Sequence, residues 1–153
     1  MRLGFNYRLP EMNAALAHSQ LRRVDDLLAR RARVAAWYGE RLRRFDGARP
    51  LAPAPETTRF SWFVYVVRLD PGIDREAVIA RLERQGIPSR PYFSPIHLQP
   101  YYRERFGFGD GMLPVTERVA RTTLALPFHA NMPEADVERV VEALHGALGN
   151  ARR

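Results

Sequence analysis

One apolar stripe running from Pro10 to about Phe45 limits the fold more than any other feature of the chain. Leu21, Val24, Leu28, Ala35, Tyr38, Leu42 and Phe45 recur at intervals of three, four and seven, which puts them on one side of an α-helix. Pro10 suits a first helical turn, with Glu11 behind it near the positive end of the helix dipole. A helix this long exceeds the usual globular length. The stripe therefore predicts a kink, or a helix that crosses two packing surroundings. Asp46-Gly47 ends it, and a proline-rich connector from Arg49 to Pro55 follows.

After the connector the periodicity changes. Phe60 to Leu69 (FSWFVYVVRL) is β-branched and aromatic on both faces and predicts a covered strand. Pro71-Gly72 turns the chain, and Asp74 can cap a helix to about Gln85 with Val78, Ile79 and Leu82 inward. Ile87 to Phe93 predicts a short extended piece between prolines. Ser94 to Gly111 predicts an aromatic, glycine-containing loop with one helical turn near Tyr101–Arg105. A short helix at Val115 to Arg121, a strand at Thr122 to Leu126 and an amphipathic helix from Pro133 to about Leu148 complete the chain. The expectation is an α+β fold: a short, mostly antiparallel sheet with helices packed on one side.

At 153 residues this is one domain, and 46% hydrophobic with 27% charged residues is globular composition. There is no cysteine, which removes disulfides and thiol chemistry. No apolar run approaches a membrane span, and the first residues lack the apolar core of a signal peptide. A cytoplasmic setting without membrane contact is expected. All 24 basic residues are Arg; the chain has no Lys. No lysine side chain is thus available here for a covalent link to a carbonyl compound. The surplus of Arg gives a net charge of +7, which attracts anions, although an Arg-for-Lys bias in composition accounts for it as well.

Three places could carry chemistry. In the loop Gly4-Phe5-Asn6-Tyr7-Arg8, Asn6 offers an amide donor and Arg8 a fork of donors, beside a helix start. These are phosphate-binding groups, but a plain turn would look the same. In Pro91-Tyr92-Phe93-Ser94-Pro95-Ile96-His97, stiffened by proline, His97 could contact a substrate or serve as a hydrogen-bonded structural residue. The Arg residues of the long helix could track a nucleic-acid backbone. They fall on several faces with acids between them, which fits a solvated surface better and makes nucleic acid an improbable partner. His18, His129 and His145 sit at unrelated spacings, and no metal-ligand motif occurs.

Two stretches resemble a known family. GFNYRLPEMNAALAHSQLRR is similar to the segment that opens the C-terminal domain of the DegT/DnrJ/EryC1/StrS aminotransferases, through Gly4, Asn6, Tyr7, Arg8, Glu11, Ala14, Ala15, Gln20 and Leu21. GIPSRPYFSPIHLQPYY and PVTERVARTTLALPFHANM resemble later family motifs, through Gly86, Ile87, Pro95, His97, Pro100, Tyr101, Pro114, Glu117, Ala120, Leu124, Leu126 and Pro127. The resemblance implies the small C-terminal domain of the type I pyridoxal-phosphate transferase fold. Residues 1–9 would then be a phosphate-contacting loop, 10–45 the long helix and 46–153 the α+β small domain. The large domain, which bears the lysine and most of the cofactor site in that family, has no counterpart here.

The resemblance further implies pyridoxal 5'-phosphate as a cofactor shared with a lysine-bearing domain, with Asn6, and Arg8 beside it, reaching its phosphate in a neighbouring subunit. Tyr92 and His97 would lie near the site for a sugar nucleotide. The expected reaction moves an amino group from an amino acid to a nucleotide-linked keto sugar, for antibiotics or surface polysaccharides. The chain alone would be inactive, and would act as a homodimer or with a complementing N-terminal domain. The alternative is a basic, helix-rich module that binds nucleic acid or a partner protein.

Overall fold

The computed structural model describes residues 7–149 and 151. The helical run divides in two, α1 at Glu11–Leu21 and α2 at Val24–Leu42. At the joint the Arg23 N–H turns to the Gln20 carbonyl at 3.0 Å, a tighter turn that interrupts the α-helical ladder. Packing explains the division. α1 buries no residue, whereas α2 buries Val34, Ala35, Tyr38 and Leu42. The apolar stripe thus enters the core only in its second half, and Leu21 stays 66% exposed.

Four antiparallel strands follow in the order β1-β2-β4-β3: β1 at Ala48–Pro50, β2 at Tyr65–Leu69, β3 at Arg90–Pro91 and β4 at Thr123–Leu126. Tyr65 stands opposite Leu126, and Val67 opposite Leu124. Alternate residues share a face, so these four and Leu69 form the apolar side of the sheet. Against it pack α2, α3 (Arg75–Arg84) and α6 (Glu134–Gly149), whose Tyr38, Leu42, Val78, Leu82, Val137 and Leu144 join the same buried cluster. Tyr38 stacks on Tyr65 with ring centroids 4.6 Å apart. Its hydroxyl donates to the Pro127 carbonyl at 2.7 Å, which ties α2 to the end of β4.

Several local expectations survive and several change. Asp74 caps α3, its Oδ1 accepting from the N–H groups of Glu76 and Ala77 at 3.1 and 3.2 Å. The expected strand from Phe60 begins only at Tyr65. Trp62 has φ +47°, which breaks the extended run; its ring stacks over Tyr65, and Phe63 is left 77% exposed. The start of the proline-rich connector pairs as β1, and an edge strand tolerates Pro50 because its missing N–H faces no partner. The stretch after Tyr92 holds a 3-10 turn at Ile96–Leu98 and the helix α4 at Pro100–Phe106, more order than a single helical turn. Helix α5, Pro114–Thr122, leads directly into β4.

Candidate functional site

The region between β3 and β4 builds a groove. Pairing continues one residue past β3: the Thr123 hydroxyl donates to the Tyr92 carbonyl at 2.6 Å, and the Tyr92 N–H reaches the Thr123 carbonyl at 3.4 Å. Pro95 then sets the 3-10 turn, and Pro100 starts α4 where its missing N–H costs nothing. Tyr92 and Phe93 from the strand end, Tyr102 from α4, Phe108, and Val115 and Val119 from α5 wall a cavity of about 610 Å³. Ser94, His97 and Thr116 add polar atoms to its lining, and no Asp, Glu or Arg takes part in it. An open aromatic cavity with few polar groups is the usual form of a ligand site.

Behind the groove lies the one buried acid–base pair among the described residues. His97 and Glu117 are 7% and 4% exposed, and His97 Nε2 lies 3.1 Å from Glu117 Oε1. The Gly111 N–H donates to both carboxylate oxygens at 2.9 and 3.0 Å, and the Leu113 N–H reaches Oε1 at 3.3 Å. Buried carboxylates are costly unless paired and hydrogen-bonded, and Glu117 has both. The Gly111 N–H, with His97 and the Leu113 N–H in support, holds its carboxyl below the ordinary range against the opposing effect of desolvation. Glu117 thereby ties the 3-10 turn, the glycine-containing segment before α5 and α5 itself to each other.

Of the four residues expected at a site, Tyr92 and His97 come together in the lining of this groove. Arg8 stands in the non-helical lead before α1, is exposed, and is not part of that lining. Asn6 lies outside the described residues. In the sequence Glu117 stands only as one position of a family motif, without a role at the site. An acid in the first turn of a short helix passes as an ordinary dipole partner. The segment Gly107 to Gly111, which lacks the setting of a phosphate loop, instead supplies a backbone donor to Glu117. Along the helical run Arg30 pairs with Asp26 at 2.9 Å, Arg41 with Glu134 at 2.6 Å and Arg44 with Glu40 at 3.2 Å, and Arg59 from the segment before β2 pairs with Asp25 of α2. Among the described residues, no helix is long and apolar enough to cross a membrane.

Known proteins resemble the chain over most of its length. The family model for the DegT/DnrJ/EryC1/StrS aminotransferase family matches residues 1–145. The chain is 38% identical over 148 residues to the GDP-perosamine synthase of Caulobacter vibrioides, an alignment that covers 95% of this chain and 39% of that enzyme. In structure it is similar to the aminotransferase TlmJ from Streptoalloteichus hindustanus, with TM-score 0.78, 33% identity, and coverage of 90% of this chain and 36% of that one. The fold also matches a putative sugar aminotransferase, Spr1654 from Streptococcus pneumoniae, solved in its PLP form, with TM-score 0.87, 24% identity, and coverage of 95% and 37%. The chain therefore spans well under half the length of the relatives it matches.

Proposed function

Because this chain belongs to the DegT/DnrJ/EryC1/StrS aminotransferase family, we propose that it is the C-terminal portion of a pyridoxal-phosphate-dependent enzyme that aminates a nucleotide-linked keto sugar. The observation that carries this reading is the groove, in which Tyr92 and His97 meet within a chain 38% identical to a GDP-perosamine synthase. The aromatic walls suit the apolar faces of a sugar or base, and the hydroxyl and imidazole groups suit sugar hydroxyls. A diphosphate would need cations, and the groove lining has none. It would have to be met from the groove's rim or by another domain.

The described residues make no complete cofactor site. They contain no lysine, and Arg8 is exposed before α1 rather than set in the groove. Asn6 and Arg8 would therefore add phosphate contacts to a site completed by a lysine-bearing domain, in a homodimer or a complementing chain. Pyridoxal phosphate, held there, supplies the electron sink that amino-group transfer needs. This chain's part is to bind and orient: Tyr92 and His97 at the sugar, Asn6 and Arg8 at the cofactor phosphate.

The test combines the chain with the lysine-bearing N-terminal segment of a relative, and follows cofactor absorbance and amino transfer from glutamate to a nucleotide-linked keto sugar. Transfer and the cofactor spectrum are expected only in the mixture, and Asn6→Ala should weaken cofactor retention there. A properly folded mixture that neither retains cofactor nor transfers an amino group would overturn the reading.

A further inference from the structure

Every group that reaches the Glu117 carboxylate brings a hydrogen to it. The Gly111 N–H reaches both oxygens, and the Leu113 N–H reaches Oε1. A carboxylate engaged in this way accepts at both oxygens. The hydrogen in the 3.1 Å contact with His97 must then sit on Nε2. A neutral imidazole carries one ring hydrogen, so Nδ1 keeps its lone pair. Among the described residues, Nε2 makes the one hydrogen bond that this ring has, and His97 is one of the residues that line the groove.

We propose that Glu117 is a positioning residue: it fixes His97 as the Nε2–H tautomer and leaves Nδ1 as a hydrogen-bond acceptor for the groove. The proposal rests on the reading of His97 as a substrate contact, and it names the chemistry of that contact. The group that binds at His97 donates, as a sugar hydroxyl does. A phosphate or carboxylate oxygen meets a lone pair there and is turned away. Glu117 itself touches no ligand in this scheme, and acts only through the imidazole.

The measurement is the tautomer itself, on the chain labelled with ¹⁵N-histidine, from long-range ¹H–¹⁵N spectra at mildly alkaline pH. His97 should show a protonated Nε2 and an unprotonated Nδ1. In Glu117→Gln the side-chain amide can donate as well as accept, so the Nδ1–H form should gain roughly tenfold, the weight of one hydrogen bond to a charged group. An Nδ1–H ring in the unaltered chain, or a tautomer ratio that Glu117→Gln leaves unchanged, overturns the proposal. Should the variant fail to fold, the spectrum of the unaltered chain still decides it. A chain with the expected tautomer that restores no amino transfer with its partner would sink the functional reading and leave the positioning role standing. The reverse tautomer in an active mixture would sink the positioning role alone.

Discussion

At the scale of single residues, Glu117 sets a pH dependence whose sign follows from its surroundings. The Gly111 N–H, together with His97, depresses its carboxyl. Such a group adds stability above its unfolded value, about pH 4.3, and loses it as pH falls through the lower native value. Glu117→Gln should therefore be less stable than the unaltered chain at neutral pH, and the gap should close on acidification below about pH 4. Urea midpoints measured across that range check it. Gly47 sets a backbone limit instead. Its φ is +104°, and a Cβ there would stand 3.3 Å from both Ile73 Cδ1 and Leu148 Cδ1. Gly47→Ala combines a disfavoured backbone with close contact, and should cost more than ~1 kcal/mol in a denaturant titration. The segment that holds Tyr92 and His97 stood out in the sequence through its prolines and aromatics and its family resemblance, and the structure places both residues in the lining of one cavity. The partnership of His97 with Glu117 did not stand out, since twenty residues separate the two and only the fold brings them together.

At the scale of elements, α1 differs from every other long helix of the chain. Met12 is 85% and Leu16 63% exposed, one turn apart on the same face, and nothing from α1 enters the core. Exposed apolar side chains of this kind suit contact with another chain or domain, which is what the proposed function asks of α1. Met12→Glu with Leu16→Glu should leave the unfolding midpoint within the ordinary scatter of surface changes, about 0.5 kcal/mol. The same pair should reduce self-association in sedimentation experiments and weaken recovery of activity in the mixed enzyme. A large loss of stability would mean that α1 is part of the core after all. The cap of α3 is a contrasting case. Asp74→Ala removes the acceptor of two backbone N–H groups and should cost about 1 kcal/mol. Periodicity showed the stripe from Leu21 to Phe45, but it could not show where the stripe stops being buried. That depends on which partners the helix meets, and the same spacing serves a core face and an interface face alike.

At the scale of the whole molecule, one aromatic stack links the sheet to α2, and it responds to alkali. Burial pushes the Tyr38 and Tyr65 phenols well above the ordinary tyrosine range. A group whose native pKa is raised gives stability that is fully present below its unfolded value, about pH 10, and lost as pH climbs toward the native one. Tyrosinate absorbance from this pair should appear together with the loss of circular dichroism, and Tyr65→Phe should shrink that joint step. The α+β class and most elements were legible because local patterns carry them: the β-branched and aromatic run of β2, capping at Asp74, periodicity in α6. Strand β1 and the early end of the aromatic strand were not. The first depends on a partner supplied by later residues, the second on the left-handed backbone at Trp62. The strand order β1-β2-β4-β3 also has a consequence for biosynthesis. While the ribosome has yet to deliver Thr123–Leu126 and α6, Tyr65, Val67 and Leu69 lack the β4 partner and the part of their cover that α6 supplies. A nascent chain of this protein holds that apolar strand unpaired on its β4 side until those later residues emerge, an interval open to misfolding.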